Sequence, residues 1–349
     1  MENKGRKLSL STISVMGCTA LSRLLGFVKI LLIGAIFGAN GKADVLNAVF
    51  AIPNNLRKLM AEGALSSSFI PVLSGSVANH DDHSVTRKIV HNILAFQVAV
   101  LVPVCILGII FADVCVNKVL LNFTDPELRI LAVSLFRWFI SYILLISISA
   151  VLLAVLNVND YFTIPALTPI LFSVAVIISI LCLHKHIGVY SMVVGVLVGG
   201  LLQILFQYPK FRKLGYDFKL SFDFKNEKFK RIMVNYVPVV LTSSIFAINQ
   251  QIAMRFASEL DTGSSSALSY ALVFWQLPFG IFATSISTVL FPKMSKEGAT
   301  GQMAELAKTL TTGIISLMAL LIPSSVIMYF FGYDIISIGM MRGRFTLEN

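Results

Sequence analysis

Residues 20–37 read ALSRLLGFVKILLIGAIF, an apolar stretch in which only Arg23 and Lys29 carry charge. This length and composition are typical of a helix that crosses a membrane. A cation at the centre of a bilayer costs at least about 2.5 kcal/mol. We therefore expect both side chains to face a protein interior, a partner or a water-filled cavity.

Similar apolar stretches recur along the whole chain, which has 349 residues, of which 56% are hydrophobic and 13% charged. A soluble domain carries about twice that charged fraction. The sequence therefore predicts an all-α polytopic membrane protein with nine spans, at about residues 8–37, 45–77, 89–112, 128–156, 161–183, 187–208, 232–258, 264–292 and 309–331.

The loops between these spans differ in charge. Counted alternately, the loops on the side of the N-terminus hold sixteen lysines and arginines and those on the opposite side hold six. Basic loops stay in the cytoplasm, so a cytoplasmic N-terminus is predicted. The first span is too long for a signal peptide and should remain in the mature protein. The same loops account for the net charge of +10, and no nucleic-acid partner is expected.

Six cations lie within the predicted spans, and Glu62 is the one clear acid at a similar depth. This excess of positive charge predicts an anion from outside the chain. The six are Arg23, Lys29, Arg57, Lys58, Arg137 and Arg255.

Arg23 and Lys29 are six residues apart, which places them on different faces of a regular helix. They would share one cavity only if the helix were bent or unwound near Gly26. Lys29 could instead extend its ammonium group toward the membrane surface. Arg23 lies deeper, and its guanidinium can bind phosphate oxygens with two hydrogen bonds.

A second polar cluster begins at Pro53 and runs through Asn54 and Arg57 to Glu62. A proline inside a span frees a backbone carbonyl, and such helices often line cavities. Lys58 and Glu62 have the i,i+4 spacing of an ion pair, which would leave Arg57 available for an anionic ligand. The alternative is a cluster that neutralises its own charge.

Segment 209–231 is the only long polar connector, and it alternates basic and aromatic residues. It fits an ordinary cytoplasmic loop, or an amphipathic segment on the anionic inner leaflet. Two further patterns have structural explanations. Arg255 has the spacing to pair with Glu259, and Gly195 and Gly199 form a helix-packing pattern.

Catalytic motifs are not apparent, so the chain is not predicted to be an enzyme, and the four cysteines suggest neither a metal site nor a disulfide. Several motifs do resemble the MurJ/MviN family of the MOP superfamily. They are Ser22–Phe27, Phe37–Ala39, Ala43–Asp44, Pro53–Asn54, Leu56–Arg57, Ala61–Ala64 and Phe69–Leu73.

The resemblance implies a MATE-like transporter of two helical lobes around a cationic cavity, in the bacterial inner membrane. The family flips lipid II, an undecaprenyl-diphosphate-linked peptidoglycan precursor, from the cytoplasmic to the outer leaflet by alternating access. The expected substrate-binding residues are Arg23, Arg57, Lys29, Asn54 and Ser22, and the expected cavity or gating residues are Asp44, Glu62, Gly26 and Pro53.

The chain departs from the family in two respects. Val273 stands where relatives usually have an arginine, and Arg255 is a possible compensating cation. The family has about fourteen spans, so nine predict an incomplete second lobe, from a fragment or a truncated gene product. The expected division is an N-terminal lobe over 1–208, a cytoplasmic connector over 209–231 and a partial C-terminal lobe over 232–349.

The sequence is compatible with three functions. The first is a lipid II flippase without a cofactor, monomeric, and coupled to the membrane potential or to a Na⁺ or H⁺ gradient. The second is a flippase for another polyprenyl-diphosphate-linked glycan, or a drug/cation antiporter, although an antiporter should carry buried acids. The third is a non-transporting scaffold or remnant, which the absent arginine and the early end would favour.

Overall fold

The computed structural model describes residues 2–57, 65–78, 83–283 and 300–347, together with 286–287, 290, 293–294, 297–298 and 349. Within this part every regular element is helical, and eight helices are long and apolar enough to cross a membrane. A helix satisfies its own backbone hydrogen bonds, which lipid cannot do. The prediction of an all-α polytopic membrane protein is confirmed.

The helices are numbered here in chain order. They are α1 (Glu2–Phe37), α2 (Gly41–Arg57), α3 (Leu65–Ala78), α4 (His83–Ile110), α5 (Pro126–Phe139), α6 (Ser141–Val158), α7 (Thr163–Ile187), α8 (Tyr190–Lys213), α9 (Glu227–Glu259), α10 (Ser264–Pro278) and α11 (Met303–Met340). A short turn, Ala112–Val114, and a π-helical turn, Cys115–Leu120, follow α4, and a second π-helical turn, Phe279–Ala283, follows α10.

Eight of the nine predicted spans correspond to the eight helices that are long enough to cross a membrane, and one differs. The span predicted over 45–77 comprises α2 and α3, on either side of residues 58–64, which lie outside the described part. The span predicted over 128–156 comprises α5 and α6. The backbone of Ile140 between them is itself helical, with φ −62° and ψ −31°, so the two together form one run of membrane-spanning length over 126–158.

Two glycines of α8 allow it to lie against the backbone of α7. A Cβ atom on Gly195 would lie 2.7 Å from the Cα atom of Val176, and one on Gly199 would lie 3.3 Å from the Cα atom of Phe172. Small residues at a helix interface permit this close approach. The helix-packing interpretation of Gly195 and Gly199 is confirmed.

The buried core lies mainly among α2, α4, α5, α6 and α8, with α1 packed against α7. Tyr142 of α6 is fully buried and stacks on Phe172 of α7, with ring centroids 5.4 Å apart. By contrast, α9 and α11 keep most of their apolar side chains exposed. For a membrane protein, this is the surface that lipid or further protein would cover.

The predicted connector, 209–231, has a non-helical middle, residues 214–226, because α8 continues to Lys213 and α9 begins at Glu227. Asn226 caps α9, since its side-chain oxygen accepts hydrogen bonds from the backbone N–H groups of Lys228 and Phe229. A capping asparagine satisfies donors that have no partner within the helix. The end of the molecule that holds residues 214–226 is called the connector end below.

Candidate functional site

Arg57 lies at the end of α2, half-buried, and its Nε donates a hydrogen bond to the side-chain oxygen of Asn54 at 3.3 Å. Pro53, which is buried, precedes this pair within the same helix. The structure thus brings together three of the predicted site residues on one helical turn. Glu62 and its predicted ion pair with Lys58 lie outside the described residues, so the self-neutralised alternative stays open.

Lys29 of α1 is directed toward aromatic rings of the N-terminal helices. Its Nζ lies 5.3 Å from the centroid of the Phe172 ring on α7 and 5.9 Å from that of Phe50 on α2. A ring face attracts a cation most strongly where water is scarce. Lys29 and Arg57 are also close enough for their like charges to interact. This geometry favours an inward Lys29 over one extended to the membrane surface.

Arg23 has different neighbours from Lys29. Its Nη1 donates a hydrogen bond to the backbone oxygen of Gly280, in the turn after α10, at 3.0 Å. Helix α1 is continuous from Glu2 to Phe37, so the unwinding near Gly26 that a shared cavity would require does not occur. Arg23 therefore contacts the helices that follow the connector, α9–α11, called the second group below. Lys29 contacts the helices that precede the connector, α1–α8, called the first group. Ser22 is half-buried beside Arg23.

Arg23 and Lys29 lie six residues apart on the continuous helix α1, and Lys29 is close to Arg57 of α2, so these two helices form a cation-rich region. No salt bridge joins Arg23 or Lys29 to a carboxylate in the part of the chain that the structure describes. Their contacts are a backbone oxygen and aromatic rings. Neither kind of contact neutralises a full positive charge, so the region retains an electrostatic preference for an anion.

Asp44 lies at the opposite end of α2 from Arg57 and is 3% exposed. Its carboxylate accepts hydrogen bonds from the backbone N–H of Gly263 at 2.5 Å and of Ser266 at 2.8 Å. These groups are at the N-terminus of α10, where the helix dipole favours a negative charge. Gly263 has a φ of 102°, a backbone conformation that glycine adopts without strain.

Further contacts surround this capping carboxylate. Asn47 donates a hydrogen bond to the Ser266 hydroxyl at 3.2 Å, and the Tyr270 hydroxyl donates one to the Gly38 oxygen at 2.9 Å. The set Asp44, Asn47, Gly263, Ser266 and Tyr270 is called the Asp44 clasp below. It joins α2 and the end of α1 to α10, at the end of the molecule opposite the connector end.

The segment after α11 also packs against the end of α1. The backbone N–H of Arg344 donates to the oxygen of Ala35 at 2.8 Å, and the ring of Phe345 contacts that of Tyr270 edge to face. A Cβ atom on Gly38 would lie 2.8 Å from the Arg344 oxygen, so a side chain there would force the two backbones apart. This end of the molecule is closed by backbone and side-chain contacts alike.

A family model described as lipid II flippase MurJ matches residues 33–349. The chain belongs to the MurJ family. The "Probable lipid II flippase MurJ" of Borreliella burgdorferi is 37% identical over 341 residues, which are 98% of this chain and 67% of that relative. The "Lipid II flippase MurJ" of Burkholderia cenocepacia is 30% identical over 342 residues, 95% of this chain and 66% of that relative. The chain thus spans about two thirds of the length of these curated relatives.

Solved structures agree with this membership in the MurJ family. The structure titled "Lipid II flippase MurJ, inward closed conformation" matches with a TM-score of 0.81 and 27% identity, over 96% of this chain and 68% of that one. An inward-facing multidrug resistance MATE family transporter of the MOP superfamily matches with a TM-score of 0.74 and 12% identity, over 95% and 76%. The latter match concerns the fold alone, and it confirms the predicted MATE-like architecture.

Two of the six cations placed within the predicted spans, Arg255 and Arg137, have surroundings that do not suggest an anion-binding role in this MurJ-family chain. Arg255 donates two hydrogen bonds to backbone oxygens of the π-helical turn, those of Lys118 at 2.8 Å and Val119 at 2.6 Å. Its Nε lies 3.8 Å from the Glu259 carboxylate, as the i,i+4 spacing predicts. These contacts favour a structural role over that of a compensating cation. Arg137 is exposed near the end of α5.

Sequence reasoning placed Asp44 among the gating residues but missed its partners. Gly263, Ser266, Asn47 and Tyr270 lack charge and fit no catalytic pattern. One signal was available, since a glycine followed by three serines is typical of a helix N-terminus. The sequence does not reveal that the capping carboxylate comes from a residue more than two hundred positions earlier.

Proposed function

We propose that this chain supplies the cationic lobe and the lobe contacts of a lipid II flippase. The observation that carries the proposal is the pair of cations on the apolar helix α1, Arg23 and Lys29, whose contacts are a backbone oxygen and aromatic rings and do not neutralise their charge. Arg57 of α2 lies close to Lys29. A diphosphate carries several negative charges and can lie between such groups. The family membership and the names of the relatives support this choice of substrate.

Each cation would contribute differently to binding the diphosphate. The guanidinium groups of Arg23 and Arg57 can each bind two phosphate oxygens, and Asn54 holds Arg57 in one orientation. Lys29 would act as a point charge, since an ammonium lacks the planar fork of arginine. Binding would replace the Arg23 contact with the Gly280 oxygen, so substrate would compete with a contact between the two groups of helices.

Transport would proceed by alternating access. The Asp44 clasp closes the end opposite the connector, which is the outer end if the N-terminus is cytoplasmic. Release of substrate there requires the clasp to open. Because the clasp consists of a few hydrogen bonds at a helix N-terminus, it can open without unfolding a helix. We further propose that the chain acts as a monomer without a cofactor, with the membrane potential or a Na⁺ or H⁺ gradient as the energy source.

The test is rescue of cells depleted of their own lipid II flippase by variants of the gene that encodes this chain. Arg23→Ala, Lys29→Ala and Arg57→Ala should each abolish or strongly reduce rescue at equal protein level in the membrane. Lys29→Arg should retain it, because the charge is kept. Lys185→Ala is the matched control, since Lys185 is an exposed cation in the last turn of α7. Full rescue by both Arg23→Ala and Arg57→Ala would contradict the proposal.

A further inference from the structure

The connector carries a row of exposed apolar side chains outside the membrane-spanning helices. Leu220 is 50% exposed and Phe222 is 61% exposed, and Phe218 and Phe224 are also exposed. On α9 or α11 such exposure is expected, because lipid covers those helices. On a polar loop it needs another explanation, since large contiguous apolar patches on soluble surfaces usually mark an interaction site.

The row is held in place by contacts with α4. The Asp217 side chain contacts His91 of α4 at 2.8 Å, and the backbone N–H of Ser221 donates to the His91 oxygen at 3.4 Å. Asn92 donates a hydrogen bond to the backbone oxygen of Asp223 at 2.9 Å. The backbone on either side of Leu220 and Phe222 is thus fixed to α4, while these two side chains stay exposed.

The rings of the row are continuous with rings on the membrane-spanning helices. Phe218 stacks on Tyr208 of α8, with centroids 5.1 Å apart and ring planes within 8°. Phe224 stacks on Phe229 of α9 at 5.0 Å, and Phe229 in turn contacts Phe96 of α4. The row therefore lies level with the helix ends, where aromatic side chains meet the membrane–water boundary.

Positive charge flanks the row. Segment 209–231 holds eight lysines and arginines and three acids. One of those acids, Asp217, is already engaged by His91 and by Lys219 at 3.3 Å. The exposed cations closest in sequence to the row are Arg212, Lys213, Lys219, Lys225 and Lys230. Apolar side chains with flanking cations are complementary to a lipid leaflet, whose acyl chains are apolar and whose headgroups can be anionic.

We propose that residues 218–225 form an interfacial anchor, in which Leu220 and Phe222 insert among the acyl chains of the cytoplasmic leaflet and the flanking lysines bind anionic phospholipid headgroups. The distribution of loop charge places the connector end on that side. The anchor is independent of transport, because it uses none of the residues assigned to the flippase. It would hold the cytoplasmic ends of α8 and α9 at a fixed depth.

The test is fluorescence quenching of a Phe222→Trp variant of the whole chain in nanodiscs. Discs of phosphatidylcholine alone are compared with discs that also contain phosphatidylglycerol, each with lipids brominated along the acyl chain. The signal of Trp138 and Trp275 is subtracted by measuring the unmodified chain. Quenching by brominated lipid should be strong with phosphatidylglycerol and weaker without it. Aqueous iodide should quench the introduced indole poorly.

Charge variants separate the two parts of the anchor. Lys219→Gln, Lys225→Gln and Lys230→Gln should each lower the ratio of inserted to free connector by about fivefold in phosphatidylglycerol discs. The control changes Lys42, Lys118 and Lys185 to glutamine, which removes the same charge from exposed positions at the other end and should change nothing.

Three results would overturn the proposal. Strong iodide quenching without lipid quenching would show a solvated loop. Protection from both quenchers would show that protein covers the row. Equal lipid quenching with and without phosphatidylglycerol would show that anionic headgroups are not recognised.

Discussion

Asp44 caps a helix to which it does not belong. Its carboxylate satisfies two backbone N–H groups of α10 that have no partner within that helix, and it does so while almost fully buried. A carboxylate is well suited to this position because the helix N-terminus carries partial positive charge. The Asp44 side chain therefore links α2 to α10 through backbone hydrogen bonds, without an ion pair to an arginine or a lysine.

Replacing Asp44 should destabilise the molecule measurably. Asp44→Ala leaves two buried donors without a partner, which should cost about 1–3 kcal/mol each if water cannot reach them. Asp44→Asn should cost less, because the amide oxygen can still accept one hydrogen bond. The measurement is thermal unfolding of the whole chain in detergent.

Asp261→Asn is the matched control for this prediction, since Asp261 is an exposed acid in the same loop as Gly263. It should leave the melting temperature unchanged. Equal melting temperatures for Asp44→Ala and the unmodified chain would show that the clasp contributes nothing to stability.

Asp217 gives the connector a dependence on pH. Partial burial raises the pKa of this carboxyl, but hydrogen bonds from His91 and Lys219 and their charges outweigh burial, so that the pKa lies below its ordinary value. A lowered folded-state pKa means that the carboxylate stabilises the fold above the unfolded-state pKa. That contribution is lost as the pH falls through the folded-state pKa.

We therefore expect the melting temperature of the whole chain to fall on acidification below the ordinary pKa of an aspartate. Asp217→Asn should show a shallower fall over the same range, because the titrating group is removed. Asp160→Asn, at an exposed position in the turn after α6, should retain the slope of the unmodified chain. Parallel curves for the unmodified chain and Asp217→Asn would contradict this assignment.

At the scale of single residues, the sequence predicted those contacts that are local. The Arg255–Glu259 pair follows from helical spacing alone. The two hydrogen bonds from Arg255 to Lys118 and Val119 join positions more than one hundred residues apart, and spacing cannot predict them. The same holds for Arg23. Its side chain is exposed in the structure, and its contact with the Gly280 oxygen depends on how α1 meets the turn after α10.

At the scale of helices, Gly195 and Gly199 decide how closely α7 and α8 pack. Gly195→Ala places a methyl group 2.7 Å from the Cα atom of Val176, and backbone atoms cannot move aside as a flexible side chain can. Overpacking of this kind costs about 1–3 kcal/mol. We expect a lower melting temperature in detergent for Gly195→Ala, and a further decrease for Gly195→Leu.

Gly332→Ala on α11 is the control for the glycine substitution itself. A Cβ atom there would meet nothing within 4 Å. Alanine in a helix is more favourable than glycine by about 0.5–1 kcal/mol, so this variant should be unchanged or slightly more stable. A stability gain for Gly195→Ala equal to that of Gly332→Ala would mean that α7 and α8 are not in close contact.

Most helices could be predicted from hydropathy, because lipid requires a long apolar run wherever a helix crosses it. The run predicted over 128–156 is an example, since α5 and α6 join through the helical backbone of Ile140 and are long enough together to cross a membrane once. The connector was recognised by its charge, but its attachment to α4 through His91 and Asn92 is a tertiary contact that composition cannot indicate.

At the scale of the whole molecule, the two ends are held by different means. The clasp end is closed by hydrogen bonds that join α2 and the end of α1 to α10. In the cation-rich region, Arg23 joins the same groups of helices through its hydrogen bond to the Gly280 oxygen. If transport alternates access between the two ends, the clasp must open when substrate leaves, whereas the α7–α8 contact within the first group can stay intact.

Locking the clasp should therefore stop transport. Asn47 and Ser266 face each other across it, with their side-chain atoms 3.2 Å apart, so Asn47→Cys and Ser266→Cys place two thiols within reach of a disulfide or a short cross-linker. In cells depleted of their own flippase, the double variant should fail to rescue after oxidation and should recover when a reductant is added. Each single variant should rescue under both conditions, which controls for the four native cysteines and for loss of the Asn47 hydrogen bond.

The same double variant also reports on which side of the membrane the clasp lies. Disulfides form on the outer side of the bacterial inner membrane and not in the cytoplasm, so cross-linking without added oxidant would place this end outside. Rescue by fully cross-linked protein would show that the clasp need not open during transport.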